Sequence, residues 1–109
     1  MPTNTKRGIN HIDAMRRNRS LLQKQLATLL GHRTHRRISH YESGTAFPPF
    51  KTAVMLEIAL GARLSELYPD LYRECRELIL KRARQHLPEH IRRRLASRLL
   101  NKDLPDEHT

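Results

Sequence analysis

The sequence predicts an all-α protein made of five short helices and a two-helix C-terminal extension. Apolar residues recur at intervals of three and four throughout the chain, and no stretch shows the two-residue alternation typical of a strand. Glycine and proline interrupt the apolar stripes at points suited to helix ends. With 109 residues the chain can build one modest core but not two independent ones.

The first two helices are defined by their apolar stripes. A first helix is expected over about residues 9–18, with an inner face formed by Ile9, Ile12 and Met15. A second helix follows, and Gly31 closes it because glycine readily takes the left-handed conformation past a helix end. The stripe of this second helix consists of Leu22, Leu26, Leu29 and Leu30.

The third helix, expected over residues 35–42, is short and strongly basic. Thr34 can cap its start, and Ile38 and Tyr41 share its inner face before Gly44 ends it. The remaining positions carry cations and polar residues. Such a helix, preceded by a helix and a tight turn, has the geometry that enters a DNA major groove.

The later helices are separated by prolines and by Gly61. "FPPF" predicts an extended loop, because each proline restricts the residue before it, and a fourth helix follows with inward residues Ala53, Leu56, Ala59 and Leu60. Leu64 and Leu67 belong to a short fifth helix ended by Pro69. A long sixth helix then carries the stripe Leu71, Cys75, Leu78, Ile79 and Ala83, and a last helix the stripe Ile91, Leu95 and Leu99.

The charge is high and unevenly distributed. Lysine and arginine number 21 against 11 acidic residues, for a net charge of +10, which favours polyanions such as nucleic acid or an acidic membrane surface. The net charge is +8 over residues 1–41, −2 over 42–80 and +4 over 81–109. The first segment is therefore the candidate polyanion-binding region, and the middle one is expected to be scaffold.

Several classes of function are disfavoured. The longest apolar run, "AVML" at residues 53–56, falls far short of the roughly 20 residues that span a bilayer. The N-terminus also lacks the apolar core of a signal peptide. We therefore expect a soluble, cytoplasmic, nucleoid-associated protein without membrane partners. Cys75 cannot form an intrachain disulfide. His32, His35 and His40 lack a cysteine or carboxylate to complete a zinc site. No catalytic motif, metal site or cofactor is predicted.

Residues 23–72, "QKQLATLLGHRTHRRISHYESGTAFPPFKTAVMLEIALGARLSELYPDLY", resemble the helix-turn-helix domain of the Xre family, the phage-repressor-like regulators. The family pattern is matched in order by Gln23, Leu26, Ala27, Leu30, Gly31, Ile38, Ser39, Tyr41, Glu42, Gly44 and Pro48. With Arg16 included, the resemblance covers residues 9–70 and implies a bacterial, five-helix, phage-repressor-like DNA-binding domain. Residues 71–101 form the helical extension, and residues 1–8 and 102–109 are expected to be flexible tails.

The resemblance implies roles for individual residues. Base reading falls on His35, Arg36, Arg37 and His40, with Arg36 favoured because its guanidinium can donate two hydrogen bonds to guanine. Phosphate contacts fall on Gln23, Arg17, Arg19, Lys24, Arg33, Thr34, Ser39 and Lys51. The alternative for each is a solvated surface position, or for Gln23 a capping role. Arg16 and Glu42 are expected to form a structural ion pair.

Two departures from the family pattern leave local questions open. The turn from Gly31 to Ile38 is one residue longer than the commonest form, so either Arg33 or Thr34 caps the third helix. Leu22 stands where the family has Ser or Thr as the cap of the second helix. That cap is either missing or replaced by a capping box between Ser20 and Gln23.

Together, these features predict a transcriptional regulator that binds double-stranded DNA with sequence specificity and acts as a repressor. The extension either covers the fifth helix or makes the protein a homodimer, and the "RRR" cluster at residues 92–94 either contacts the DNA backbone or lies in solvent. One alternative is an antitoxin-like protein that binds a toxin and represses its own operon. Another is non-specific binding of nucleic acid, RNA included, driven by charge.

Overall fold

The computed structural model describes residues 9–103, and their side chains as far as Leu99. This part of the chain is all-helical and contains seven helices, without strands. They are α1 (Ile12–Asn18), α2 (Gln23–Leu29), α3 (Arg36–Ser43), α4 (Phe50–Leu60), α5 (Leu64–Leu67), α6 (Pro69–His86) and α7 (Glu89–Asp103). None of these helices combines the length and apolar character needed to cross a bilayer.

The described chain divides into two compact units between Tyr72 and Arg73. The sequence predicts this division after residue 70, and the separate roles expected of the two regions stay predictions. The predicted tails at residues 1–8 and 104–109 lie outside the described residues. Residues 102 and 103, expected in the C-terminal tail, are helical because α7 continues to Asp103.

The first unit is organised around α3, against which both α1 and α2 pack. The core combines residues from all of the first five helices, and its fully buried side chains are Ile12, Leu26, Ile38, Leu56, Leu60 and Leu67. A backbone hydrogen bond of 2.8 Å from His11 N–H to the carbonyl of Leu67 joins the start of the unit to α5. The core therefore holds α3 from its buried side, through Ile38 and Tyr41.

Two of the predicted apolar stripes are only partly buried. Ile9 lies before α1 and is exposed, and the side-chain oxygen of the next residue, Asn10, accepts the Ile12 N–H at 2.9 Å near the start of the helix. Leu22 and Leu29 are also exposed. Leu22 is the extended residue that precedes α2, and Leu29 lies about 80° around the helix from the mean direction of Leu26 and Leu30.

In the second unit, α6 carries much of its predicted stripe at the surface. Leu78 and Ile79 are 39% and 47% exposed, Cys75 is exposed, and Ala83 is buried. In α7, Leu95 and Leu99 are half-buried. The second unit therefore buries few large side chains, whereas the first contains a continuous core.

Candidate nucleic-acid interface

The solvent-facing side of α3 carries four polar residues in helical register. Arg36, Ser39, His40 and Ser43 are all exposed, and their spacing of three, one and three places them on the side opposite Ile38 and Tyr41. We call these four residues the outer face of α3. It presents guanidinium, imidazole and hydroxyl groups, each of which can donate a hydrogen bond.

Arg37 lies on the flank of α3 and not on its outer face. Together with Gly31, His32, Arg33 and Thr34, it lines a concavity of about 350 Å³ at the turn between α2 and α3. Arg33 and Arg37 are exposed, so this turn concentrates positive charge beside the start of α3. The four base-reading residues predicted from the sequence are therefore divided between two adjacent surfaces.

The start of α3 answers the capping question left open by the sequence. The helix begins at Arg36, and the Thr34 hydroxyl accepts the Arg36 N–H at 3.2 Å. His35 is the residue that immediately precedes the helix, and its side chain is exposed and makes no capping hydrogen bond. Thr34 therefore acts within the protein as the hydrogen-bonding cap, while His35 projects at the N-terminal end of α3.

His32 is a residue of the turn to which sequence analysis assigned no role in DNA binding. Its ring lies 6.1 Å from the ring of Tyr41, centroid to centroid, and its Nε2 atom is buried with no hydrogen-bond partner among the described residues. Burial and, secondarily, the positive charge of Arg37 lower the pKa of His32 below its usual value. The ring is therefore neutral at pH 7 and braces the turn against Tyr41.

Arg16 and Glu42, expected to pair, form a salt bridge between α1 and the end of α3. Arg16 Nε donates to Glu42 Oε2 at 2.5 Å, and both side chains are 9% exposed. Further hydrogen bonds join the guanidinium to Asp13 Oδ1 at 2.7 Å and to the carbonyl oxygen of Leu21 at 2.8 Å. The hydrogen bond to Glu42 raises the pKa of Arg16, so the guanidinium stays charged.

Gln23 belongs to the same network, and the proposed capping box with Ser20 is wrong. Gln23 Nε2 donates to Glu42 Oε1 at 2.8 Å, and it is Gln25 that accepts the Leu22 N–H at the start of α2. Ser20 instead lies two residues after the end of α1, in the left-handed conformation with φ of 59°. Arg16, Gln23 and Glu42 therefore fix α1, α2 and α3 to one another.

The other predicted phosphate contacts are spread over the surface of the first unit. Arg17 forms an exposed salt bridge with Asp13 at 2.8 Å. Arg19 is exposed, and its guanidinium extends toward Gly61 at the end of α4. Lys24 is exposed near the start of α2, and Lys51 near the start of α4. The structure brings only Arg33 and Thr34 of this set together with Arg37 at the turn.

Ser43 and Thr45 were missed by the sequence analysis. Their hydroxyl oxygens lie 2.7 Å apart at the C-terminal end of α3, and Ser43 Oγ also donates to the carbonyl of His40 at 3.2 Å. Ser43 is seven residues from Arg36, a spacing of about two turns that returns to the same helix face. That spacing is visible in the sequence, and it identifies Ser43 as a member of the outer face.

Comparison of the chain with protein-family models, with curated proteins and with solved structures finds no match. Within the described residues, no group of three His, Cys, Asp or Glu side chains is arranged to hold a metal ion. The site is thus defined by its own geometry: an exposed polar helix face, a cationic turn beside it and a buried network beneath both.

Proposed function

We propose that this chain is a sequence-specific DNA-binding transcriptional regulator of the phage-repressor-like helix-turn-helix type, with α3 as the recognition helix. The observation that carries the proposal is the outer face of α3, on a helix held from behind by Ile38 and Tyr41. Eight residues make α3 about 12 Å long, and the major groove, about 12 Å wide, admits a helix. The sequence resemblance to the Xre family supports the same conclusion.

In this proposal, the outer face reads bases and the turn binds the backbone. Arg36 donates two guanidinium N–H hydrogen bonds to guanine, while Ser39, His40 and Ser43 contact bases further along the groove. Arg33 and Arg37 bind phosphate from the turn, and His35 contacts DNA at the N-terminal end of α3. Arg16, Gln23 and Glu42 keep α3 at a fixed angle, so that these side chains reach the groove together.

The test begins with selection of bound sequences from a random pool of duplex DNA. The expected result is a consensus motif, and recovery of none would overturn the proposal in favour of non-specific binding. Affinities of variants for the motif and for its single-base substitutions then test the residue roles. Arg36→Ala should relax preference at one base pair, removing about 1–3 kcal/mol of discrimination.

Lys24→Ala is the matched control, because it removes one exposed cation of the same unit outside the outer face. It should weaken binding to all sequences alike. It should also reduce the magnitude of the slope of log affinity against log salt concentration by about one. Ser43→Ala should alter preference at a base pair different from the one affected by Arg36→Ala. If all three variants weaken every sequence equally, α3 is not the reading element.

A second candidate function is an antitoxin-like protein that binds a toxin and represses its own operon. The exposed apolar residues Leu78 and Ile79 on α6, beside exposed Cys75, favour a protein partner for the second unit. A homodimer would use the same surface. Sedimentation of the purified chain tests whether it forms a homodimer. Co-purification of a small partner with the native protein tests the antitoxin function, and Leu78→Asp should prevent this co-purification.

A further inference from the structure

A second cationic surface lies on α7, in the second unit, whereas every residue assigned to base reading belongs to the first unit. His90, Arg93, Arg94, Ser97 and Arg98 are all exposed and line an open concavity of about 620 Å³. Their spacing of three, one, three and one places all five on one side of the helix. We call these five residues the α7 face.

The charge surrounding this face is strongly positive. From residue 78 to residue 99 the sequence has seven lysines and arginines and one acidic residue, Glu89. Glu89 accepts a hydrogen bond of 2.8 Å from Arg93, and both side chains are more than two-thirds exposed. An exposed pair of this kind is worth only about 0.2–1 kcal/mol, so Arg93 can exchange Glu89 for a competing anion.

The chemistry of the α7 face favours phosphodiester groups. Its three strong cations are all arginines, whose planar forks suit phosphate oxygens, and the Ser97 hydroxyl and His90 imidazole are further donors of the kind that contact nucleic-acid backbones. The five positions extend over about 12 Å of helix. Each strand of a duplex carries one phosphate per about 3.4 Å of helix axis, so a row of donors of this length can contact more than one phosphate.

An anionic membrane is a poorer match to the same face. A helix that lies in a membrane interface needs a large apolar face that inserts between the lipids. None of the five residues of the α7 face is apolar, and the apolar residues Leu95 and Leu99 lie on the other side of α7 and are half-buried.

We infer that the α7 face binds the phosphate backbone of duplex DNA and adds affinity without base preference. The inference rests on the proposed DNA-binding function and adds to it a second contact surface, carried by the second unit. It assigns specificity to α3 and a large part of the salt-dependent affinity to α7.

The test compares two triple variants of the full chain that carry the same net charge. Arg93→Gln/Arg94→Gln/Arg98→Gln removes the cations of the α7 face. Lys81→Gln/Arg82→Gln/Arg84→Gln removes three exposed cations of α6 that point in different directions around the helix. Fluorescence anisotropy measures binding of each variant to a motif duplex and to a scrambled duplex, over a series of salt concentrations.

The slope of log affinity against log salt concentration is negative, and the α7 variant should reduce its magnitude by about 2 to 3 on both duplexes. The α6 variant should reduce this magnitude by less than about one. Arg93→Lys/Arg94→Lys/Arg98→Lys should retain the slope, since it keeps the charges, and far-ultraviolet circular dichroism should show equal helicity in all variants. Loss of the slope in the lysine variant would assign the effect to folding and overturn the inference.

Equal slopes in the α6 and α7 variants would overturn the inference, because net charge alone would then explain the effect. An unchanged slope in the α7 variant would also overturn the inference. If that variant then failed to bind phosphatidylserine vesicles that the wild type binds, the α7 face would be assigned to a membrane. Failure here is distinct from failure of the proposed function. The ratio of affinities for the motif and scrambled duplexes tests base reading by α3, whereas the salt slope tests α7.

Discussion

Arg16 lies at the centre of the buried network that positions α3. It donates hydrogen bonds to Glu42, to Asp13 and to the carbonyl of Leu21, and so connects α1 both to α3 and to the segment before α2. Because Arg16 and Glu42 are almost completely buried, each neutralises a charge that would otherwise be costly to keep out of water. The role of this arginine is therefore best tested by measuring the free energy of unfolding.

Arg16→Met should lower the free energy of unfolding by about 3–5 kcal/mol, because Glu42 is left as an uncompensated buried charge. Urea unfolding at pH 7 measures the effect. Arg17→Met is the matched control, since Arg17 pairs with Asp13 at the surface and should change stability by less than about 1 kcal/mol. Equal effects of the two substitutions would contradict a structural role for Arg16.

Tyr68 carries a buried hydroxyl with no hydrogen-bond partner among the described residues. Burial and, to a lesser extent, the nearby Tyr41 raise the pKa of Tyr68 to about 12. Its ring packs 5.8 Å from that of Phe47, centroid to centroid, so the aromatic body contributes to packing while the hydroxyl is a cost.

Tyr68→Phe should leave the free energy of unfolding unchanged at pH 7 or raise it by about 1 kcal/mol, because an unsatisfied polar group is removed. At alkaline pH the two proteins should diverge further. The unfolded tyrosine ionises near pH 10 and the folded one near 12, so the wild type loses stability as pH rises through this range. Urea titrations at pH 7 and pH 10.5 test this, and a loss of stability at pH 7 would contradict it.

At the level of elements, the ends of α1 and α2 show the same backbone motif formed by different residues. After α1, Ser20 and Leu21 donate their N–H groups to the carbonyls of Arg17 and Arg16. After α2, Gly31 and His32 do the same to Thr28 and Ala27. Ser20 and Gly31 take the left-handed conformation, with φ of 59° and 78°.

Ser20→Gly should therefore raise the free energy of unfolding by about 1 kcal/mol, and Gly31→Ser should lower it by about the same amount. A Cβ atom added at Gly31 meets no atom within 4 Å, so the cost there is conformational and not steric. Thermal unfolding of the two variants measures both effects. Changes of the same sign would contradict the assignment.

The inner face of a helix could be predicted from the sequence where the positions of its apolar residues allowed one orientation only. Ile38 and Tyr41 were correctly predicted to be inward because α3 has only two large apolar residues, three apart. Leu22 and Leu29 were wrongly placed inward because α2 is rich in leucine and periodicity alone does not show which leucines face the core. The bond between Gln23 and Glu42 connects residues 19 positions apart, a tertiary contact that no local pattern encodes.

At the level of the whole molecule, the continuous core lies entirely within the first unit. Its buried members run from Ile12 to Tyr68, before the division between Tyr72 and Arg73. Of the residues beyond that division whose side chains are described, Ala83 is the one that is buried. Most of the hydrophobic stabilisation contributed by the described residues therefore belongs to the first unit.

A fragment of residues 1–72 should fold without the second unit and unfold in a single cooperative transition. Circular dichroism during thermal unfolding measures this, and a fragment without a cooperative transition would contradict it. Sedimentation of the fragment and of the full chain at equal concentration then tests the second unit as a dimerisation element. The same oligomeric state in both would remove that role.

The outer face of α3 belongs to none of the packing that holds the helix in place. Ile38, Tyr41 and Glu42 anchor α3 from the other sides. The Ser43 hydroxyl forms hydrogen bonds at the C-terminal end of the helix, so positions 36, 39 and 40 are the ones that are thermodynamically separable from the fold. Under the proposed function, DNA recognition can then diverge by substitution at these three positions without a loss of stability that would oppose it. A combinatorial library at positions 36, 39 and 40 is accordingly a practical test of whether they determine which DNA sequence is bound.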